Sequence, residues 1–143
     1  SIQSVKGVQI GDAYQQAASL GSSAQDEIIG LANGHIERAS NHAGGTEGGI
    51  SNGSVLRVSA ALKPISTVPR ALRSVDLADG TAATALHQRS DTCAVVPAAV
   101  IAQAEVAMVL ADALLEKTGG DSLLEAKRNL AGYLEDVAER TNW

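Results

Sequence analysis

The sequence predicts an α/β (α+β) fold, on three observations. Two runs rich in β-branched residues, 3–10 and 54–62, alternate at the two-residue period of a strand. A run from residue 97 to about residue 117 is apolar on nearly every side, opens on Pro97 and ends at Gly119 and Gly120, the pattern of a buried helix. A third run opens with Ser122 and Glu125, the spacing of a capping box, and sets Leu123, Leu130, Leu134 and Val137 along one face. Their shared core has to be built from small aliphatic side chains, because only 2% of the 143 residues are aromatic and Phe is absent.

Taken in order, QSVKGVQI (residues 3–10) places Val8 and Ile10 on one face of a strand. Gly11 ends it, Asp12 is placed to cap a helix over residues 12–20, and Gly21 is placed to stop that helix. Residues 22–40 are polar and read as irregular. Residues 33–53 hold six glycines and three asparagines; this predicts no regular structure, since each glycine carries extra backbone entropy that folding must remove. In SVLRVSAAL (residues 54–62), Leu56, Val58, Ala60 and Leu62 share one face and Arg57 lies on the other. Pro64 and Pro69 exclude a helix around them. Residues 76–80 read as a turn, and residues 81–90 as a short strand or helix. In the last helix Asp136 and Arg140 are placed to pair at i, i+4.

Composition excludes several classes of function. A net charge of -5 argues against general nucleic-acid binding, and the shortage of rings removes a stacking platform for single strands. One cysteine, Cys93, excludes a disulfide framework and a multi-thiolate zinc site, and is expected to be a small core residue. His35, His42 and His87 have no metal-ligand spacing, so no metal is expected, and His35 and His87 read as surface polar residues. Gln103, Glu105 and Asp112 interrupt the most apolar stretch, so the expectation is a soluble cytoplasmic chain with no membrane span, Glu105 being a lone polar edge. The charge is uneven: residues 35–75 carry Arg38, Arg57, Lys63, Arg70 and Arg73 against Glu37 and Glu47, locally +3 between acidic flanks. A site for a small anion needs such a segment, and an ordinary solvated surface has the same look.

Three stretches carry candidate chemistry. The glycine-rich run 41–53 lets backbone approach a phosphate or a planar ring, although it is neither a P-loop nor a dinucleotide fingerprint. Residues 63–67 offer the ammonium of Lys63 and the hydroxyls of Ser66 and Thr67 on a backbone stiffened by Pro64, which suits a phosphate. Arg89-Ser90-Asp91 is either a plain ion pair or an anion-positioning arginine beside a proton acceptor.

Together these stretches resemble the chorismate synthase family. The resemblance runs through GVQIGD (7–12), NHAGGTEGGISNG (41–53), LKPISTVPRALRSVDLADG (62–80), HQRSDTCAVVPAA (87–99) and VLADALLEKTGGDSL (109–123), in the family's order and spacing. It implies the family's β-α-β sandwich. It also implies the last step of the shikimate pathway, in aromatic amino acid biosynthesis: a 1,4-anti elimination of phosphate from 5-enolpyruvylshikimate 3-phosphate to give chorismate. That reaction uses reduced FMN without net redox change, in a cytoplasmic homotetramer. Carried over by position, Asn41, Ala43, Gly44 and Gly45 fall in the flavin loop. Lys63 and Thr67 match residues that hold the FMN phosphate region and ribityl chain, Arg89 an arginine reaching flavin or substrate, and Asp91 a carboxylate implicated in proton movement.

The resemblance covers only the family's C-terminal part. Residues 1–143 are therefore expected to be the C-terminal portion of a longer enzyme, active only with its N-terminal half. The N-terminal Ser-His-Gly motif and the two catalytic histidines have no counterpart, and no histidine precedes His35. Three positions depart from the family pattern: His42 replaces a usual arginine, Gln25 a frequent histidine and Leu62 a frequent methionine. Two other readings stay open, a non-catalytic flavin- or anion-binding module and a truncated paralogue with altered chemistry.

Overall fold

The structure, a computed structural model, describes residues 2–32, 35–88 and 93–141. Along the chain stand β1 (Val5–Ile10), α1 (Ala13–Ala17), α2 (Gly21–Ala24), β2 (Ile28–Ala32), β3 (His35–Arg38), β4 (Thr46–Glu47), β5 (Ile50–Ser51), β6 (Val58–Leu62), β7 (Arg73–Val75), β8 (Ala82–Thr84), α3 (Val95–Thr118) and α4 (Leu123–Thr141). The mixture is the α+β class expected. Among the described residues the strands form four two-stranded antiparallel ladders, β1–β6, β2–β3, β4–β5 and β7–β8.

The ladder β1–β6 runs from Val5 opposite Leu62 to Ile10 opposite Val58, with an irregularity between Val5 and Gly7. Leu56, Val58, Ala60 and Leu62 do share a face: with Ala98 and Val106 of α3 they line a cavity of about 320 Å³. Val8 and Ile10 are exposed, while the half-buried positions of β1 are Val5, Gly7 and Gln9.

Three expectations about the first half need correction. The helix over residues 12–20 is instead two short helices, and Gly21 opens α2 rather than stopping α1. Asp12 stands at the N-cap of α1 but makes no side-chain cap bond, because its carboxylate is held elsewhere. Residues 22–40 are not irregular: they hold α2 and the hairpin β2–β3. The run 33–53 also contains regular structure, for Gly48 and Gly49 adopt φ of +58 and +78 and turn β4 back onto β5. A two-residue hairpin turn with both φ positive is where Gly-Gly is favoured.

The second half follows the sequence more closely. Residues 76–80 form the turn of β7–β8, with the Gly80 amide donating to Asp76 O at 2.8 Å. Gly119, at φ +58, ends α3. The capping box of α4 is made in a shifted form. The Glu125 amide donates to Ser122 Oγ at 3.2 Å, and the Glu125 carboxylate accepts from the Asp121 amide at 2.9 Å. Glu125 pairs with Arg128 at 3.2 Å; the expected pair Asp136–Arg140 is not formed among the described residues. Two contacts tie α4 to the end of α3: Lys117 Nζ lies 4.2 Å from the Tyr133 ring centroid, and Asn129 Nδ2 donates to Thr118 O at 2.9 Å.

Burial departs most from expectation. Ala24, Ala98 and Ala126 are the buried apolar residues among those described, and α3 is open along most of its length, with Val100 64% and Val109 68% exposed. No described element lies across its outer faces. Its mean hydropathy of 1.8 over an 18-residue window makes it long and apolar enough to cross a membrane by length and composition, despite Glu105 and Asp112; a core helix passes the same test. Cys93, expected in the core, is exposed.

Candidate functional site

The best-built part of the molecule is a junction where the end of β1, residues 40–45 and the approach to β6 meet. The Gly11 amide donates to Arg57 O at 2.8 Å, the Asp12 amide to His42 O at 2.8 Å, and the Arg57 amide to Gly44 O at 3.0 Å. The backbones lie so close that a Cβ on Gly11 would stand 1.9 Å from His42 O, and one on Gly44 would stand 2.2 Å from the Gly11 amide nitrogen. Both glycines have positive φ, +58 and +64. Their missing side chains bring the chain against itself.

Two carboxylates lock this junction. Asp26, buried, accepts from Ser40 Oγ at 2.5 Å, the His42 amide at 2.7 Å and the Ala43 amide at 2.9 Å. Burial pushes its carboxyl up, but the Ser40 hydroxyl and the Ala43 and His42 amides outweigh that and hold it below the ordinary 3.8. Asp12 accepts from Arg57 Nη1 at 2.8 Å and from His42 Nδ1 at 2.9 Å. Arg57 first, then His42, lower its carboxyl. The other arm of Arg57, Nη2, donates to Asn41 O at 2.9 Å. Asn41 closes the loop, accepting from the Gly45 amide at 2.9 Å and donating to Val55 O at 2.8 Å.

The amides of His42, Ala43, Gly44 and Gly45 are thus all engaged within the chain, by Asp26 twice and by Asn41 twice. The structure therefore brings Asn41, Ala43, Gly44 and Gly45 together as a rigid root, with no amide turned out toward an anion. The open part of the glycine run lies beyond it. A Cβ on Gly48, Gly49 or Gly53 would meet nothing within 4 Å. Glu47 steadies this hairpin, accepting from Arg38 Nη2 at 2.7 Å and Asn52 Nδ2 at 2.9 Å.

Lys63 stands at the other end of the β1–β6 ladder from that root, on the order of 17 Å away at roughly 3.3 Å per strand residue. It is exposed, and its amide donates to Ser4 O at 2.8 Å. Ser4, at φ +68, is the one non-glycine residue with positive φ among those described, a strained conformation. Thr67, half-buried, lies four residues further along, beyond Pro64 and a bend at Ser66. Arg89 and Asp91 lie outside the described residues. Among the described residues no group of three or more His, Cys, Asp and Glu side chains could hold a metal ion.

The apolar cavity under α3 contains none of the candidate site residues. Sequence reasoning missed Asp26 and the bonds of Asp12 and Arg57, whose partners are 14 to 45 residues distant. No local spacing signals such pairs. Ser4 was also missed, since nothing in its sequence neighbourhood marks a left-handed serine.

A family model described as chorismate synthase matches residues 1–115. The chorismate synthase of Beutenbergia cavernae is 60% identical over 139 residues, which are 97% of this chain and 35% of that protein. That of Corynebacterium jeikeium is 58% identical over 142 residues, 99% of this chain and 34% of that protein. A crystal structure of chorismate synthase, 40% identical, superposes with a TM-score of 0.74 over 96% of this chain and 34% of that one. The chain spans about a third of the length of the curated relatives it matches.

Proposed function

The chain belongs to the chorismate synthase family, and on that footing we propose that it supplies part of the flavin and substrate site of an enzyme that eliminates phosphate from 5-enolpyruvylshikimate 3-phosphate to give chorismate. Residues 1–143 are the C-terminal portion of that enzyme, active together with its N-terminal part, in a cytoplasmic homotetramer. The uncovered apolar length of α3 supports this, since a helix with nothing across its outer faces needs further protein to bury it.

The observation that carries the site is the corner of Ser4 and Lys63. The side chain of Lys63 is exposed on backbone that Pro64 stiffens, and its backbone amide donates to the carbonyl of Ser4, a residue held at strained φ. Such geometry persists only where the surroundings fix it, and it gathers at binding sites. The residues fit the phosphate end of FMN: Lys63 would supply the charge and Thr67 a hydroxyl. The open glycine hairpin at Gly48 and Gly49 leaves room for a flat ring to approach backbone, while Asn41, Ala43, Gly44 and Gly45 hold that hairpin in place. Reduced FMN, held there by Lys63 and Thr67, would supply electron density for the departure of the substrate's phosphate. Arg89 contributes a fixed positive charge toward the anions. Asp91 takes the proton released from C6 of the ring, a task for a carboxylate kept near that atom.

Two variants of the enzyme containing this chain and its N-terminal half test the reading. Lys63→Ala is expected to weaken FMN binding by roughly 1.5–3 kcal/mol, the range for hydrogen bonds to charged groups. An unchanged flavin titration removes Lys63 from the site. Asp91→Asn is expected to lower kcat by ~100- to 10,000-fold with little change in KM. If KM rises instead while kcat at saturation is kept, Asp91 serves only to pair with Arg89.

A further inference from the structure

We propose that Asp26 is the positioning residue of the glycine run: its carboxylate fixes residues 40–43, and through them sets the hairpin β4–β5 that the flavin reading above, on which this proposal rests, places beside the cofactor. Asp26 is the one buried charged residue among those described, at 8% exposure. A carboxylate is rarely buried unless something compensates the lost hydration. Here no lysine or arginine pairs with it directly among the described residues, although the charge of Arg57 acts on it from nearby. A hydroxyl and two successive amides converge on the carboxylate from a four-residue segment, Ser40, His42 and Ala43. Successive amides that converge in this way make a concave cradle for an anion. The anion in this cradle is the chain's own side chain.

The consequence travels by bonds rather than by distance. Asn41 lies between two residues that Asp26 holds, and its side-chain oxygen holds the Gly45 amide. Thr46, the next residue, begins β4. A change in the path of residues 40–43 therefore redirects the hairpin at its first residue. Asp12 cannot substitute, because it grips the side chain of His42 and Arg57 and accepts no amide of the loop. A neutral isostere cannot substitute either. An asparagine presents one oxygen and one NH2 where two oxygens face three donors, so at least one donor meets another donor. The depressed carboxyl of Asp26 agrees with this geometry.

The test uses the full enzyme carrying Asp26→Asn, Asp26→Ala or Lys63→Ala, at a temperature well below the melting of every variant. Two readouts are taken: amide hydrogen exchange of the flavin-free enzyme, and FMN affinity by titration. Asp26→Asn is expected to lower the protection of the His42, Ala43 and Gly45 amides while leaving the β1–β6 ladder unchanged. It should also weaken FMN binding roughly tenfold or more, the loss of about one charge-assisted hydrogen bond. Formate, a free carboxylate of the right size for the vacated cradle, is expected to restore FMN affinity to Asp26→Ala and to leave Lys63→Ala unrestored. A purely structural role would lower the melting temperature without moving FMN affinity, and that outcome overturns the proposal. If Asp26→Asn binds FMN normally while Lys63→Ala does not, the proposal falls and the flavin reading stands. If neither variant changes FMN affinity, the flavin reading falls and takes the proposal with it.

Discussion

Around Gly11 the chain packs backbone on backbone, and the amides from His42 to Gly45 find their acceptors within this same chain. Along α3 the situation is reversed. Its 24 residues close their backbone hydrogen bonds helically, yet Val100, Val109 and Leu114 stay open to solvent. The first region is polar, non-local in sequence and complete. The second is apolar, local in sequence and uncovered. Polar satisfaction is geometric and has to be met within a few ångströms, so a site-bearing loop can be finished by its own chain. Apolar burial is an area effect and needs a second surface. The glycine loop stands on the finished region, which is why its amides are all held within the chain while α3 still awaits cover.

The largest expected effect separates glycines that look alike in sequence. Gly44→Ala puts a methyl against the Gly11 backbone at positive φ, and is expected to cost roughly 3–5 kcal/mol from backbone displacement and left-handed strain together. Gly48→Ala meets open space and is expected to cost about 1–2 kcal/mol, from its φ alone. Urea denaturation midpoints of the two variants check this. Equal losses would mean that the junction is looser than its contacts, and the contrast between the regions would fail.

The next effect is acid. Asp12 and Asp26 both titrate below the ordinary 3.8 in the folded chain. A carboxyl whose folded value is depressed contributes stability that is fully present above its unfolded value and is withdrawn as pH falls through the folded value. The junction is therefore expected to keep its amide protection from neutral pH to about 3.8 and to lose it below. The helical signal of α3 and α4 should outlast it, since the buried carboxylate among the described residues lies in the junction. Hydrogen-exchange protection factors at residues 42–45, set against far-UV circular dichroism, make the comparison. Loss of helix before loss of loop protection would reverse it.

The same division explains what could be read in advance. The elements with a clean period were legible: β1 and β6 by alternation, α3 by its apolar run, α4 by Ser122 and Glu125. The hairpins were not. The strands β2 and β3 lie within residues 22–40, whose polar character hides their alternation. The strands β4 and β5 are two residues each, too short for any period to show. The glycine run suggests close approach to a ligand, whereas Gly11 and Gly44 serve close approach of the chain to itself at positive φ. Asp12 was assigned to its nearest helix because capping is a local rule, whereas its partner Arg57 lies 45 residues on. The burial of α3 was wrongly expected because a sequence shows which surface wants cover, not whether the chain supplies it.

The smallest expected effect is the sharpest test of that last point. Val109 is 68% exposed on α3, and valine and serine have nearly equal helix propensity. Val109→Ser therefore changes apolar area and little else. If the outer face of α3 is open, the substitution should stay within about 0.5 kcal/mol, as exposed substitutions do. If the face is covered, the valine is buried and its loss should cost about 1.5–3 kcal/mol. Measured in this chain alone at low concentration, the small value is expected. Measured in the enzyme with its N-terminal half, the proposed function requires the larger one. The difference between the two settings is more informative than either number, because helix propensity and residual structure in the unfolded chain affect both alike. A small value in both would leave α3 bare in the assembled enzyme. The outer face of α3 would then serve some surface other than the rest of its own polypeptide.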